Sequence, residues 1–453
     1  LSQAVDDIAA FGYKQELKLS LGLFDLLAYG LVFIVPTAPI AVFGIVFNAS
    51  HGMVPIVYII GLVSMIFVAL SYMTMAKAFP VAGSVYTYAS RSLGATVGFF
   101  AGWAMLLDYV LIPTLAYVAS AIALQSVFPD LSKPLCVVVM VLIATVINYL
   151  GIETTARMSF VLLTFQLVTL VFFGAAAWQA IAHHVAGAHF SLVPLYNPAE
   201  LTPGIIFGAL SLAVLSFLGF DAISTLSEES RGGSALIGRA TMLSLCLSAV
   251  LFVAQTWLAS LFVLGKTSLP PGDATNAAFY DIAALAGGPM LKFLLAVPGI
   301  FLAQIAGAVA AQAATARLLF SMARDGELPR TLAHIDAKRK VPTRAVFLVA
   351  AVTLLTGILM ADRLELLTSM VSFGALLGFL LLQVSVVAYF IWRKKSRNWL
   401  RHLVAPSIGF TIIAYVLYNA EPNAKIAGAT WMTAGLAAFI ALKLLRRPTK
   451  LPV

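Results

Sequence analysis

Asp108 sits in Gly102-Trp103-Ala-Met-Leu-Leu-Asp108-Tyr109, deep inside an apolar run over about 95–127. A charged side chain at the centre of a membrane helix costs at least ~2.5 kcal/mol on insertion scales, so it needs a cavity, a partner or a proton. It can pair with the ammonium of a small solute, carry a proton, or cap and bridge helices. Asp221 closes a second such string, Ser216-Phe217-Leu-Gly219-Phe220-Asp221. It can hold another ammonium, or cap the half-helix that follows through its backbone amides. Tyr109, Phe217 and Phe220 stand next to these acids. Aromatic faces attract ammonium groups, with up to ~2 kcal/mol gained when the contact is desolvated. Glu228 and Glu229 lie near the end of the same run. A gate ion pair with Arg239 or Arg317 is one reading, and a proton site is the other. Gln166 lies within a fifth run, and Gln304 and Gln312 lie among alanines in an eighth. Hydrogen bonding between helices is the default role for such glutamines.

These side chains need elements that present them at mid-depth. The first apolar run, Gly22 to Val46, is interrupted by Val35-Pro36-Thr37-Ala38-Pro39. Proline lacks the N–H of a helix residue and its ring clashes with the preceding turn. Freed backbone groups inside a bilayer are tolerated only where protein or a wet cavity satisfies them. The sixth run is interrupted in turn, at Gly219 beside Asp221. Broken helices at corresponding places in two halves of a chain point to a solute site near the midplane. Half-helix N-termini attract anions there, and free carbonyls attract cations.

The 453 residues are 61% hydrophobic and 10% charged, with mean hydropathy +0.98. Soluble domains carry about 25% charged residues, so this chain uses lipid as its solvent. Twelve runs reach the ~20 residues that span a bilayer. They lie at about 22–47, 53–79, 95–127, 134–151, 157–182, 203–228, 239–265, 287–321, 344–361, 365–392, 403–419 and 427–445. Asn276 to Ala286 is expected to form a short surface helix. With both termini inside, only Lys133, Lys266, Lys292, Arg363 and Lys425 fall outside; every other Lys and Arg of the 28 falls on the cytoplasmic side. That asymmetry is the positive-inside signature. It accounts for the net charge of +9 without nucleic acid. Leu1 to Ser20 lacks a continuous apolar stretch and is not expected to be a cleaved signal peptide. Because the chain begins with Leu, a few residues are expected to precede it. Cys136 and Cys246 show no metal-binding spacing, and the histidines fall in loops or at run ends. No His-Glu metal motif and no GxSxG is present, which argues against a membrane-embedded enzyme. No metal and no cofactor is expected.

Further strings mark a likeness. They are Phe79-Pro80-Val-Ala-Gly83-Ser84-Val-Tyr86-Thr-Tyr88, Gly98-Phe-Phe-Ala-Gly102-Trp103, Ser227-Glu228-Glu229-Ser230, Ala316-Arg317 through Arg324-Asp325-Gly326 to Pro329, and Val341-Pro342-Thr343-Arg344-Ala345. In this order they resemble the amino acid–polyamine–organocation permeases over nearly the whole chain. The strings around Asp108 and Asp221 look like the bacterial putrescine-importer branch. The resemblance implies an all-α polytopic membrane protein of the inner (plasma) membrane. Its twelve transmembrane helices would form a five-plus-five inverted repeat (LeuT-type), 22–182 and 203–392, plus two extra helices within 403–445. Residues 1–21 and 446–453 would be cytoplasmic. It also implies secondary uptake of a small amine or amino acid, by proton coupling or exchange, with Val35, Pro36, Thr37, Ala38, Asp108, Tyr109, Ser216, Phe217, Gly219, Phe220 and Asp221 around the substrate. Many amino-acid permeases of this superfamily have a glycine-rich first break. Here two of its residues are prolines, which favours a substrate with cationic ends over a zwitterion. A sodium site of this fold would use hydroxyls on the eighth span, but Ala303 to Ala314 has none. Some proton-coupled relatives place a lysine in the fifth span, where this chain has Gln166. Protons or a counter-substrate are therefore expected before sodium, with Asp108, Glu228 or Glu229 as proton carrier. A neutral amino-acid permease is the alternative.

Overall fold

With so little charge, the backbone must satisfy its own polar groups. It does so with helices and no sheet among the described residues. The computed structural model describes residues 19–445 except 82, 128–129, 151, 271–272, 297–299, 362 and 421. Of the expected terminal segments, residues 1–18 and 446–453 lie outside the described residues, as does the side chain of Gln304.

The first apolar run is two helices, α1 (Leu23–Ile34) and α2 (Ala38–Ala49), bent by 42° at the proline break. After α3 (Val54–Ala78) comes α4 (Ser84–Leu93), a helix too short to span and not expected from the apolar runs. Its buried Val85, Tyr88, Ala89 and Ser92 recur at helical spacing, which was the available signal. Three long helices follow, α5 (Ala95–Val127), α6 (Lys133–Leu150) and α7 (Ile152–Ala182). Helix α8 (Pro203–Phe217) starts on Thr202, whose hydroxyl accepts from the Ile205 N–H at 3.3 Å. It stops at Leu218 and Gly219, and a 3-10 helix continues over Phe220–Glu229.

Beyond α9 (Gly233–Ser260), two expectations change. The surface helix at Asn276–Ala286 is part of a longer helix, α10 (Asp273–Leu294), which carries a break at Gly287 and Gly288 ahead of Pro289. The eighth run therefore does not begin at 287. Its long helix is α11 (Ile300–Arg324), and the Gly-Gly-Pro sequence that looked like a span entrance is a kink. Helices α12 (Thr343–Leu359), α13 (Leu364–Val387), α14 (Ala405–Tyr418) and α15 (Pro422–Leu445) complete the chain. Among the described residues nine helices are long and apolar enough to cross a membrane, or ten with the α1–α2 pair taken as one.

Helix α1 packs against α7, α9, α11 and the 3-10 helix, while α5 packs against α4, α11 and α13. The two broken elements thus pack against each other and against intact helices. Outside, α6 and α7 expose Leu142, Val146, Val171 and Phe172, as a lipid-facing surface does.

Candidate functional site

At the first break Val35 adopts φ 60°. The following proline disfavours the right-handed helical region there. A β-branched residue in the left-handed region costs on the order of 1–3 kcal/mol, so the neighbours must hold it. The backbone largely satisfies itself: Val35 N–H donates to Leu31 O at 3.0 Å, Ala38 N–H to Val35 O at 2.7 Å, and Ile40 N–H to Thr37 O at 3.0 Å. The Pro36 carbonyl accepts from Gln255 Nε2 on α9 at 2.9 Å. Several carbonyls expected to be free at this break are therefore occupied. Val32 still lacks its i+4 donor, because that position is Pro36. Gln255 was not singled out from the sequence. Its signal was the same as that of Gln312, an amide side chain inside an apolar run. Thr37 is buried and Ala38 half-buried.

At the second break Gly219 has φ 114°. A Cβ there would fall on the Phe33 ring, so only glycine lets the two breaks touch. The turn aims Asp221 back into the molecule, where Oδ1 accepts from the Gly219 N–H at 3.2 Å. Oδ2 accepts from the Tyr109 hydroxyl, and from the Tyr72 hydroxyl at 3.5 Å. Asp221 is fully buried. Its carboxylate thus bonds upstream and to two tyrosines, rather than capping the following helix from its first residue.

Asp108 is 1% exposed, and neither carboxylate oxygen has a hydrogen-bond partner among the described residues. It lies within electrostatic reach of Asp221, Tyr72 and Tyr109. Its backbone faces α13 at Gly374, where a Cβ would meet the Asp108 nitrogen at 2.9 Å. Around the two acids the rings of Phe33 and Tyr109 are 6.1 Å apart, Tyr72 and Phe220 6.0 Å, and Phe220 and Phe379 5.8 Å. The structure therefore brings Asp108, Tyr109, Gly219, Phe220 and Asp221 together, and adds Phe33, Tyr72 and Phe379. It turns Ser216 and Phe217 elsewhere. Ser216 Oγ is 3.0 Å from the Tyr58 hydroxyl, and Phe217 meets Tyr58 in a tilted contact and Phe252 edge-on. Thr315 on α11 donates to the Tyr109 carbonyl at 2.7 Å. Tyr29 on α1 donates to the Ala310 carbonyl at 2.6 Å, which ties the first half-helix to α11.

Glu228 and Glu229 are buried in ion pairs. Arg317 holds Glu229 through Nε at 2.5 Å and Nη2 at 3.2 Å. Arg324, not Arg239, holds Glu228, at 3.0 and 2.8 Å. Arg317 and Arg324 are seven residues apart on α11, two helical turns, so they share a face. Gln166 on α7 is buried, with both amide atoms lacking a hydrogen bond among the described residues. Gln312 joins helices: Asn148 Nδ2 donates to its Oε1 at 3.1 Å, and its Nε2 donates to Thr145 at 3.0 Å. Among the described residues no cluster of His, Cys, Asp and Glu has the makings of a metal site.

Two interrupted apolar helices that meet over buried acids are the architecture of a membrane carrier. Residues 26–442 match the amino acid permease family, and the chain belongs to it. It is a multi-pass membrane transporter of the amino acid–polyamine–organocation superfamily. The chain is 30% identical over 429 residues to the low-affinity putrescine importer PlaP of Escherichia coli strain K12, covering 93% of each. It is 24% identical over 476 residues to the branched-chain amino acid permease BcaP of Bacillus subtilis strain 168, covering 96% of this chain and 95% of the relative. A methylthioribose transporter of the same organism is 24% identical over 466 residues, covering 95% and 93%.

Proposed function

We propose that this transporter imports a small organic amine with cationic ends, a putrescine-like diamine, across the inner membrane by alternating access at the two breaks. Asp108 carries the reading. A carboxyl group with almost no exposed surface and no donor, beside a second buried acid, is a costly arrangement that a cation relieves. The aromatic rings of Phe33, Tyr72, Tyr109 and Phe220 suit an ammonium group. The similarity to a putrescine importer supports the same substrate class.

We count twelve crossings, α1–α2, α3, α5, α6, α7, α8 with its 3-10 continuation, α9, α11, α12, α13, α14 and α15, with α4 and α10 not crossing. The breaks then fall in the first crossing of each half, 22–182 and 203–392, as an inverted repeat requires, with α14 and α15 outside it. The distribution of Lys and Arg favours cytoplasmic termini. Ala303 to Ala314 on α11 carries no hydroxyl for a sodium ion, which favours coupling by protons or exchange.

Uptake of labelled putrescine into proteoliposomes, competed by cadaverine, alanine, leucine and glutamate, tests the substrate class. Cadaverine competes and the amino acids do not. Competition by alanine or leucine alone would move the chain to the neutral amino-acid permeases, as the similarity to BcaP allows. Accumulation persists without sodium; strict sodium dependence refutes the coupling.

A further inference from the structure

Resting on the amine-carrier reading, we propose that the two aspartates do different jobs. Asp221 is a fixed anion, while Asp108 is an exchangeable site that holds a proton when empty and yields it to the second ammonium of a diamine.

The asymmetry is geometric. Asp221 receives a backbone N–H and two tyrosine hydroxyls. Hydrogen bonds to a carboxylate favour its charged form and keep it in place. Asp108, one residue before the tyrosine that serves Asp221, receives none among the described residues. The ionisable groups facing it are Asp221 from the 3-10 helix, Tyr72 from α3 and Tyr109 from α5, and α13 presents the backbone at Gly374. The arginines of α11, Arg317 and Arg324, are taken by Glu229 and Glu228. A bare carboxylate there would face a fixed like charge without solvent or donors.

A solute with one ammonium satisfies Asp221 and leaves the Asp108 proton alone. A diamine brings a second ammonium to the same cage. The Asp108 O–H bond then breaks, the proton leaves to water, and the carboxylate pairs with the ammonium. Proton and second amine therefore compete for one side chain, and the site counts positive charges. Diamines are selected over monoamines of equal length because only they exploit both acids.

The full chain in detergent, titrated with putrescine or butylamine by calorimetry in two buffers of different ionisation enthalpy, reports the protons released per ligand bound. Putrescine is expected to release about one proton more than butylamine, as linked binding to one carboxyl requires. Asp108→Asn is expected to abolish that difference and to lower the preference for putrescine over butylamine by about tenfold or more, the worth of one charged contact. Asp108→Glu is expected to restore the proton difference. Equal release for the two amines in the wild type overturns the proposal and leaves the amine-carrier reading standing. An undiminished proton difference in Asp108→Asn overturns it in the same way. Failure of putrescine to bind overturns both. Should Asp108→Asn misfold by size-exclusion and thermal unfolding, the wild-type comparison alone decides.

Discussion

The 3-10 helix Phe220–Glu229 carries a buried acid at its start and two at its end. Glu228 and Glu229 each meet an arginine of α11 in a two-pronged contact, whereas Asp221 and its neighbour Asp108 meet no arginine or lysine among the described residues. Burial is the same at both ends, so depth does not distinguish them. The difference is whether the protein supplies the counter-charge. Where it does, the contact ties the 3-10 helix to α11. Where it does not, the carboxyl groups are left for a proton or a cation from outside, as the proposed amine carrier would use them.

The sharpest way to break this contrast is at the ion pairs. Arg317→Ala leaves Glu229 buried and unpaired and is expected to cost about 3–5 kcal/mol, read from unfolding of the purified protein. Replacing both partners, Arg317→Met with Glu229→Leu, is expected to recover most of it. A stable Arg317→Ala protein would mean that the pair does not hold the fold. The opposite pattern is expected at the other end. Asp221→Asn keeps an acceptor for Tyr109 but removes the charge; amine uptake falls on the order of a hundredfold, ~2.7 kcal/mol, with little change in unfolding. If its stability drops like that of Arg317→Ala, the two regions are alike after all. Tyr109→Phe takes one donor from Asp221 and is expected to weaken amine binding by about tenfold, ~1.4 kcal/mol. The smallest effect is expected at Gln255→Leu. The Pro36 carbonyl loses its donor, and stability falls by about 1 kcal/mol.

The elements of the fold were legible because lipid imposes long apolar runs and because proline and glycine mark breaks locally. The helical boundaries of α5 over 95–127 follow directly from that pattern. The kink at Gly287–Gly288 did not, because a run ending and a run bending share the same residues. In the site, Asp108 and Asp221 stood out because a lone acid in an apolar run is conspicuous. Ser216 and Phe217 are near Asp221 in sequence, yet the turn just after them leaves them facing Tyr58 and Phe252. Tyr72, Gln255 and Arg324 reach their partners across long sequence separations, which local pattern does not encode.

The backbone just ahead of α1 lies beside the end of the 3-10 helix. Ser20 and Leu21 donate to the Glu229 carbonyl at 3.1 and 3.0 Å, and Arg231 donates back to Leu21 at 2.9 Å. The two interrupted crossings are thereby stitched together at one end by main chain, a contact that only a change to the backbone donors, such as a proline, removes. On the alternating-access reading proposed above they would act as a single lever, since moving either alone would break those three hydrogen bonds.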